Sequence, residues 1–434
     1  MNLRPFEIIL IAIFSIGAIA GLVTVTMIKG GSNPEDQIYG QSVIVWGTFE
    51  QTVFDKVISD IKNTDKAFSV VSYKKIDERS FEGELLNAIA EGNSPDLVLV
   101  PHTMLVSYRS KFTATPFTTY PERTFKDAYI DGANIFMMND GIYGIPMAVD
   151  PLVMYWNRNL FANAGLANPP KTWESLVAES TPLLTEADAK YVLSKSAIGL
   201  GEFININHAK EILSMLFFQS GTTIVEEDEN RYRIVLNTSI EGGSPPGQAA
   251  LSFFTQFASP GSRAYTWNRS RPLDRAAFTG GSLAMYFGFA SERKAPEDAN
   301  PNLSFDIAPG PQSQGATAQR NYGTFYAFGI PKASRNATGA YKVALRLATA
   351  EISSIFVDAL GLTPVHRSLY TGASPDQYSG ILRQAGLIAR GWLDPDPRRS
   401  TDVFRKMVED ITSARAEPEA IMGEASYSLQ ALFR

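Results

Sequence analysis

The chain has 434 residues, of which 44% are hydrophobic and 19% are charged, and its formal net charge is −6. This composition is typical of a globular protein, and a negative charge without a polybasic run argues against binding to nucleic acid phosphates. Because the chain contains no cysteine, disulfides, thiolate metal sites and cysteine nucleophiles are excluded.

The amino-terminal segment predicts a membrane anchor. Residues 8–28 form an uncharged run of 21 residues, and a helix of that length spans about 31 Å, close to the ~30 Å hydrocarbon core of a bilayer. A signal peptide would have an apolar region of about 7–15 residues and a small-residue cleavage site, which residues 25–29 do not provide. We therefore expect an uncleaved transmembrane helix at 8–28 and a flexible linker at 29–40.

Short strands and helices alternate in the next region. The β-branched and apolar patterns predict strands at 42–46, 68–73 and 96–100 and helices at 49–61 and 81–90, the second capped by Ser80. This alternation implies a mainly parallel sheet with helices on both faces. Because ligands bind at the carboxyl ends of such strands, Trp46 is expected at the edge of a potential site.

An acid lies between two prolines in the middle of the chain. Pro146 and Pro151 restrict their neighbours to extended conformations, so Asp150 is expected on a stiff extended connector and not in a helix. Residues 152–156 have the length and apolar content of a strand. Taken alone, the segment is also typical of an ordinary loop between two strands.

The remaining elements are predicted from apolar periodicity and turn residues. Helices are expected at 173–183, 208–218, 244–257, 337–350 and 401–413, a strand at 196–200, and a charged hairpin or surface loop at 226–233. Glu226, Glu227, Asp228 and Glu229 are interpreted as a solvated face. Asp394 and Asp396 alternate with prolines and are expected in an exposed turn.

Several blocks together resemble a known family. The first contains Gly144-Ile145-Pro146, Asp150, Asn157-Arg158-Asn159-Leu160-Phe161, Ala164-Gly165-Leu166 and Pro169-Pro170-Lys171-Thr172-Trp173. The others are Tyr265-Thr266-Trp267-Asn268 with residues 277–289, residues 307–311 with 322–332, and residues 361–368. In order and spacing they resemble the extracellular solute-binding proteins of ABC importers, the maltose-binding-protein-like family.

This resemblance implies an α/β, two-lobed periplasmic-binding-protein-like fold of type II. Lobe 1 would contain residues 41–148 and 327–362, and lobe 2 residues 150–322 and 366–434, joined by three crossover segments. The amino terminus, residues 1–7, would be cytoplasmic and the binding domain extracellular. Many bacterial members are anchored by a lipidated cysteine, which this chain lacks, so the helix at 8–28 would replace that anchor.

The residue types near these landmarks favour a sugar-like ligand. Aromatic rings pack on the C–H faces of sugars, while carboxylates and amides hydrogen-bond to the hydroxyl groups. Each residue is also a candidate for a purely structural role, since large apolar side chains are mostly buried. The predicted ligand-binding residues are Trp46, Asp150, Asn205, Asn207, Trp267, Phe289, Tyr322, Tyr326 and Trp392.

We expect no catalytic residue, metal ion or cofactor. His102, His208 and His366 are isolated in the sequence and are interpreted as structural or surface residues. The sequence contains no His-x-x-x-His pair, Gly-x-Ser-x-Gly elbow or phosphate-binding Gly-Lys-Ser/Thr loop. Carboxylate pairs such as Glu226 with Glu227 fit a glycosidase scheme only weakly.

The sequence therefore predicts a membrane-anchored solute-binding protein that closes on its ligand and delivers it to ABC permease subunits. Two alternatives remain open: an anchored extracellular enzyme acting on polysaccharide, and a surface sensor or adhesion protein built on the same scaffold. The ligand class also stays open, because related scaffolds bind peptides, polyols, polyamines and oligosaccharides.

Overall fold

A computed structural model describes residues 41–228, 231–239, 245–372, 374 and 376–433. The predicted anchor at 8–28 and linker at 29–40 lie outside these residues. Within the described ranges, no helix is long and apolar enough to cross a membrane.

Strands and helices alternate along the chain. The strands are β1 Val43–Gly47, β2 Val71–Lys75, β3 Leu97–Pro101, β4 Met137–Met138, β5 Gly141–Ile142, β6 Ile145–Asn157, β7 Glu186–Ala187, β8 Leu193–Ile198, β9 Val225–Asp228, β10 Arg231–Ile234, β11 Leu283–Phe289, β12 Phe305–Ala308, β13 Asn321–Gly329, β14 Thr363–Pro364 and β15 Ala389–Arg390. The α-helices are α1 Gln51–Thr64, α2 Phe81–Ala90, α3 Leu105–Tyr108, α4 Glu122–Ala128, α5 Arg158–Asn163, α6 Trp173–Ser175, α7 Thr181–Leu184, α8 Ala209–Gln219, α9 Pro246–Thr255, α10 Asp274–Thr279, α11 Lys294–Ala299, α12 Ala337–Leu347, α13 Ala350–Leu360, α14 Gln377–Leu387, α15 Pro397–Thr412 and α16 Pro418–Ala431.

The expectation of a mainly parallel sheet is wrong, because the main sheet is mixed. Its strands follow the order β2-β1-β3-β13-β6-β11-β8-β7, with β12 and β14 beside β6 and β15 beside β13. Pairing is parallel for β1 with β2 and β3, and for β8 with β11. It is antiparallel for β3–β13, β13–β6 and β6–β11. The long strands β6 and β13 carry the chain in opposite directions, so the middle of the sheet is antiparallel.

Two hydrophobic cores meet on strand β6. Ala148 and Val149 belong to the first core, together with β1, β3 and helices α12 and α13. Leu152 and Val153 belong to the second core, with β11, α8 and α15. The chain therefore passes from one lobe to the other at Asp150 and Pro151. We call the part around the first core lobe 1 and the part around the second core lobe 2.

Four strands cross or meet at the junction of the lobes. Strands β6 and β13 span it, and β14 pairs with Val149 and Ala148 of β6. Strand β15 was not among the three predicted crossings, yet it pairs with Asn321 and Tyr322 of β13. Ala389 on β15 packs in lobe 1, while Trp392, three residues later, packs in lobe 2.

Some predicted boundaries shift for local reasons. Strand β2 begins at Val71 and not at residue 68, because Lys66–Val70 forms a 3-10 helix whose Ala67 amide donates to the Asp65 side chain at 3.1 Å. Helix α2 begins at Phe81 as predicted, but the Ser80 hydroxyl donates to Asp77 and Glu84 and does not cap the helix. Phe49 precedes helix α1, which begins at Gln51.

Candidate functional site

The junction between the lobes presents one face of strand β13. Side chains alternate across a strand, so Tyr322, Thr324 and Tyr326 share a face, while Phe325 points to the opposite side and is buried in lobe 1. Thr324 pairs directly with Asp150 of β6, which places the Asp150 side chain on the same face. We call Tyr322, Thr324, Tyr326 and Asp150 the junction face.

Asp150 links the crossing strand to lobe 2. Its side chain is buried; Oδ1 accepts from the Ser291 amide at 3.1 Å and Oδ2 from the Ser291 hydroxyl at 2.5 Å. Ser291 follows β11 in lobe 2. Burial raises the pKa of Asp150 to about 7, although the hydrogen bonds from Ser291 oppose that rise. Both carboxylate oxygens are thus already occupied by the neighbouring lobe.

Aromatic rings line the junction face on the side of lobe 1. The half-buried ring of Tyr326 meets Phe49 edge to face, with ring centroids 4.9 Å apart. Phe49 follows β1, at the carboxyl end where a ligand site was expected. Both rings are partly exposed, and Tyr326 shares its face of β13 with Thr324, so aromatic surface lies near a hydroxyl group, a combination suited to the two kinds of surface on a sugar.

Lobe 2 contributes a second aromatic and charged group. The His208 ring lies 4.7 Å from the Phe289 ring, and its Nε2 donates to Glu292 at 3.0 Å. Arg275 also donates to Glu292, at 2.5 Å. Burial alone would raise the pKa of Glu292, but His208 and Arg275 outweigh it and lower that pKa to about 2. Burial alone would lower the pKa of His208, but Glu292 outweighs it, so that pKa is raised.

His208 also has an unusual backbone conformation. Its φ is +58°, in the left-handed region that non-glycine residues rarely adopt. It directly precedes helix α8, whose first turn lies beside the junction face. The ion pair with Glu292 and the contact with Phe289 hold the ring in this position, so the strain is offset by side-chain contacts at the junction.

The predicted ligand residues fall into two groups. Asp150, Phe289, Tyr322 and Tyr326 lie at or beside the junction face, with Phe289 and Tyr322 ring centroids 6.3 Å apart. Trp46 is nearly buried at the end of β1, and the Lys74 ammonium lies 4.7 Å from its ring centroid. The predicted ligand-binding role of these five residues stays a prediction.

The other four predicted residues have structural contacts. Trp267 is fully buried in the core of lobe 2. The side-chain amide of Asn205 donates to the carbonyls of Asn268 and Arg271, both at 2.9 Å. The backbone N–H of Asn207 donates to the Asp274 carboxylate at 3.1 Å. Trp392 is nearly buried against Phe404. Because these contacts are within lobe 2, we leave all four residues out of the proposed junction site.

Two interpretations of acidic residues are wrong. Asp394 is fully buried and accepts hydrogen bonds from Lys210 and Ser400, so it is not in an exposed turn. Glu227 does not belong to a solvated face, because it accepts from Arg109 of lobe 1 at 3.3 Å. In both cases the cationic partner, Lys210 or Arg109, lies more than a hundred residues away in the sequence. Glu229 lies outside the described residues.

Sequence reasoning missed part of the junction. Phe49, Thr324, Ser291 and Glu292 were not named as site residues, and His208 was interpreted as structural or surface. Ser291 and Glu292 lie two and three residues after Phe289, so their place just beyond the end of strand β11 was the available signal. His102, by contrast, is fully buried, and its Nδ1 accepts from the Phe325 amide at 3.1 Å. No group of three or more histidine, aspartate or glutamate residues in the described ranges could hold a metal ion.

A known protein family matches most of the chain. A family described as bacterial extracellular solute-binding proteins matches residues 62–381. A binding protein of Brucella abortus (strain 2308) is 24% identical over 373 residues, covering 81% of this chain and 82% of the relative.

Solved structures show the same fold. A cyclic α-maltosyl-1,6-maltose-binding protein from Arthrobacter globiformis has a TM-score of 0.73 at 16% identity, covering 90% of this chain and 98% of that protein. A cyclo/maltodextrin-binding protein complexed with maltotetraose has a TM-score of 0.72 at 14% identity, covering 93% and 98%. An ABC transporter solute-binding protein from Thermotoga lettingae TMO bound to α-D-tagatose has a TM-score of 0.65 at 19% identity, covering 91% and 100%.

Proposed function

The chain belongs to the bacterial extracellular solute-binding proteins, and from that premise we propose that it captures a sugar-like ligand between its lobes and delivers it to an ABC importer permease. The family and the similar structures are binding proteins and not enzymes. The family also implies an extracellular or periplasmic position for the binding domain. Anchoring by a single-pass helix at 8–28 and the lobe bounds at 41–148 with 327–362 and 150–322 with 366–434 are part of the proposal.

The junction face is the observation that carries this proposal. It combines the Phe49–Tyr326 ring pair of lobe 1 with the Phe289–His208 pair of lobe 2, and Asp150 and Thr324 lie between them. Aromatic faces beside a hydroxyl group such as that of Thr324 are suited to the C–H faces and hydroxyl edges of sugars. Three of the similar solved structures hold or are named for a saccharide, which supports the same ligand class.

Hinge bending at the crossing strands would couple binding to closure. In this proposal the predicted crossings at 148–150, 322–327 and 362–364 act as the hinges, because a change in the backbone angles of a crossing segment would rotate one lobe relative to the other. A ligand that contacts both lobes favours the arrangement that brings them together, because only that arrangement supplies all the contacts.

Titration calorimetry with a panel of mono- and oligosaccharides, peptides and polyamines tests the proposal. We expect saccharide binding that weakens about tenfold or more in Tyr326→Ala, since aromatic contacts supply much of the binding energy in such sites. Tyr427→Ala is the matched control, because Tyr427 is 69% exposed on lobe 2. Binding of a peptide or polyamine without any saccharide would contradict the proposed ligand class.

A further inference from the structure

A pocket between the lobes differs in chemistry from the junction face. It has a volume of about 450 Å³. Asp131 and Ile135 of lobe 1 form one wall, and Phe218 with the turn at 221–225 of lobe 2 forms the other. Arg320, Arg390 and Trp392 line it where β13 and β15 meet. A ligand in this pocket would therefore contact both lobes at once.

Positive charge exceeds negative charge around this pocket. Asp131 accepts from Arg367 at 2.5 Å and from Arg390 at 3.1 Å. Arg320 is the third cation, and among the described residues no carboxylate lies within 4.0 Å of its guanidinium. Three arginines thus surround one aspartate in a protein whose net charge is −6.

The pKa values of Asp131 and Arg390 reflect this excess of positive charge. The hydrogen bond from Arg367 is the main cause that lowers the pKa of Asp131, and Arg390 and Arg320 add to it. Burial lowers the pKa of Arg390, and the charges of Arg320 and Arg367 lower it further. An additional anion in the pocket would relieve this repulsion, whereas a cation would increase it.

The pocket also has apolar surface next to the guanidinium groups. Phe218 is half-buried, and its ring is nearly parallel to that of Tyr322, with centroids 6.5 Å apart. A guanidinium binds a carboxylate through two parallel hydrogen bonds, and an aromatic ring packs on the C–H face of a sugar. A sugar that carries a carboxylate satisfies both features.

We propose that this pocket binds the carboxylate of an acidic saccharide, with Arg320 as its main contact and Phe218 against the sugar ring. The inference rests on the proposed function and narrows its ligand to sugars that contain a uronate. Because the pocket has walls from both lobes, the acidic group would also favour closure.

The test compares acidic and neutral saccharides on the full chain. Calorimetry uses di- and trisaccharides of galacturonate, glucuronate and mannuronate, each beside its neutral hexose counterpart, with inorganic sulfate as a third probe. We expect at least one uronate to bind about tenfold or more tightly than its counterpart, and Arg320→Gln to remove that advantage, since a charge-assisted hydrogen bond contributes about this much.

Arg123→Gln is the matched control because it removes the same charge from a side chain that is 94% exposed on α4 of lobe 1. Arg123→Gln should change the affinity for the uronates and for the neutral saccharides by no more than about twofold. If neutral sugars bind as well as uronates, or if Arg320→Gln behaves like Arg123→Gln, the pocket assignment is wrong while the proposed function stands. Sulfate binding without a preference for uronates also overturns the saccharide assignment. Absence of binding by every saccharide overturns both proposals.

Discussion

Asp150 and Asp394 are both buried carboxylates, but their partners differ. Asp394 is bound by Lys210 and Ser400, and all three side chains lie in lobe 2. Asp150 lies between lobes and is bound only through Ser291, with no cation within 4.0 Å among the described residues. Burial raises the pKa of both carboxyls. The difference indicates that Asp394 stabilises one lobe, whereas Asp150 connects two.

This comparison clarifies what Asp150 can do. Its side chain is 4% exposed, and both oxygens are occupied by Ser291. Each oxygen could accept a further hydrogen bond, but a direct ligand contact would require this buried carboxyl to become exposed. We therefore assign to Asp150 a role in fixing the relative position of the lobes, and we assign ligand contact to the neighbouring aromatic residues.

The largest effect is expected for Asp394→Ala. Removing the carboxylate leaves the Lys210 ammonium buried without its ionic partner, which costs about 3–5 kcal/mol of unfolding free energy. Denaturant unfolding measures this loss. The double variant Asp394→Leu with Lys210→Met should recover much of it, because no buried charge remains unpaired. If Asp394→Ala is as stable as the parent, the Asp394–Lys210 pair does not contribute to the stability of lobe 2.

Asp150 should make stability depend on pH in the opposite sense to a salt-bridged acid. Its folded pKa is raised to about 7, above about 3.9 for an unfolded aspartate. The folded state therefore binds more protons between these values, so the free energy of unfolding falls as pH rises from about 4 to about 7. The change is on the order of a few kcal/mol.

The measurement is the difference between the parent and Asp150→Asn across this pH range. Other groups, including His208 and Glu292, are present in both proteins, so their contributions largely cancel in the difference. We expect the parent to lose stability relative to the variant as pH rises. If the difference in unfolding free energy between the two proteins stays constant from pH 4 to pH 7, burial does not raise the pKa of Asp150.

A smaller effect is expected on ligand affinity. Asp150→Asn leaves a side chain with only one acceptor oxygen, which cannot replace both carboxylate oxygens in accepting from the amide and the hydroxyl of Ser291. Asp150→Asn and Ser291→Ala should each change the fraction of protein that is closed. The apparent affinity for ligand should change by the same factor as that fraction. We expect about tenfold or less by calorimetry. A loss of more than a hundredfold in Asp150→Asn alone, with closure unchanged, would instead place Asp150 in direct contact with ligand.

The smallest effect is expected at the outer contact between the lobes. Arg109 of lobe 1 donates to Glu227 at 3.3 Å and to Tyr232 at 2.8 Å, both on the β9–β10 hairpin of lobe 2. Glu227→Gln should cost about 1 kcal/mol or less and shift the lobes slightly toward separation. Glu226→Gln is the control, since among the described residues the ionic partner of Glu226 is Arg233 of the same hairpin. An equal loss of unfolding free energy in Glu227→Gln and Glu226→Gln would show that the Arg109–Glu227 contact between the lobes contributes no more than a contact within the hairpin.

Local patterns in the sequence predicted much of the secondary structure. Strands β1 and β3 and helices α2 and α8 lie within a residue or two of their predicted positions, because apolar spacing and turn residues decide such elements locally. The prolines around Asp150 also indicated an extended connector correctly. Whether strands pair in parallel or antiparallel could not be predicted from these local patterns, since it depends on how strands that are distant in the sequence meet.

Side-chain environments were harder to predict for the same reason. Asp394 looked like a turn residue, because its partner Lys210 is 184 residues away. Trp267 and Tyr326 are similar aromatic residues in the sequence, yet one is fully buried in lobe 2 and the other is half-buried at the junction. Only the packing of the lobes separates them.

The interlobe distance in solution tests the central claim most directly. The chain has no cysteine, so Arg79→Cys in lobe 1 and Leu273→Cys in lobe 2, both at exposed positions, can carry two fluorophores at defined sites. A saccharide that binds in calorimetry should shorten and narrow the distance distribution between the fluorophores, and Asp150→Asn should change the distribution before ligand is added. An unchanged distribution at saturating ligand would contradict closure of the lobes as the basis of binding.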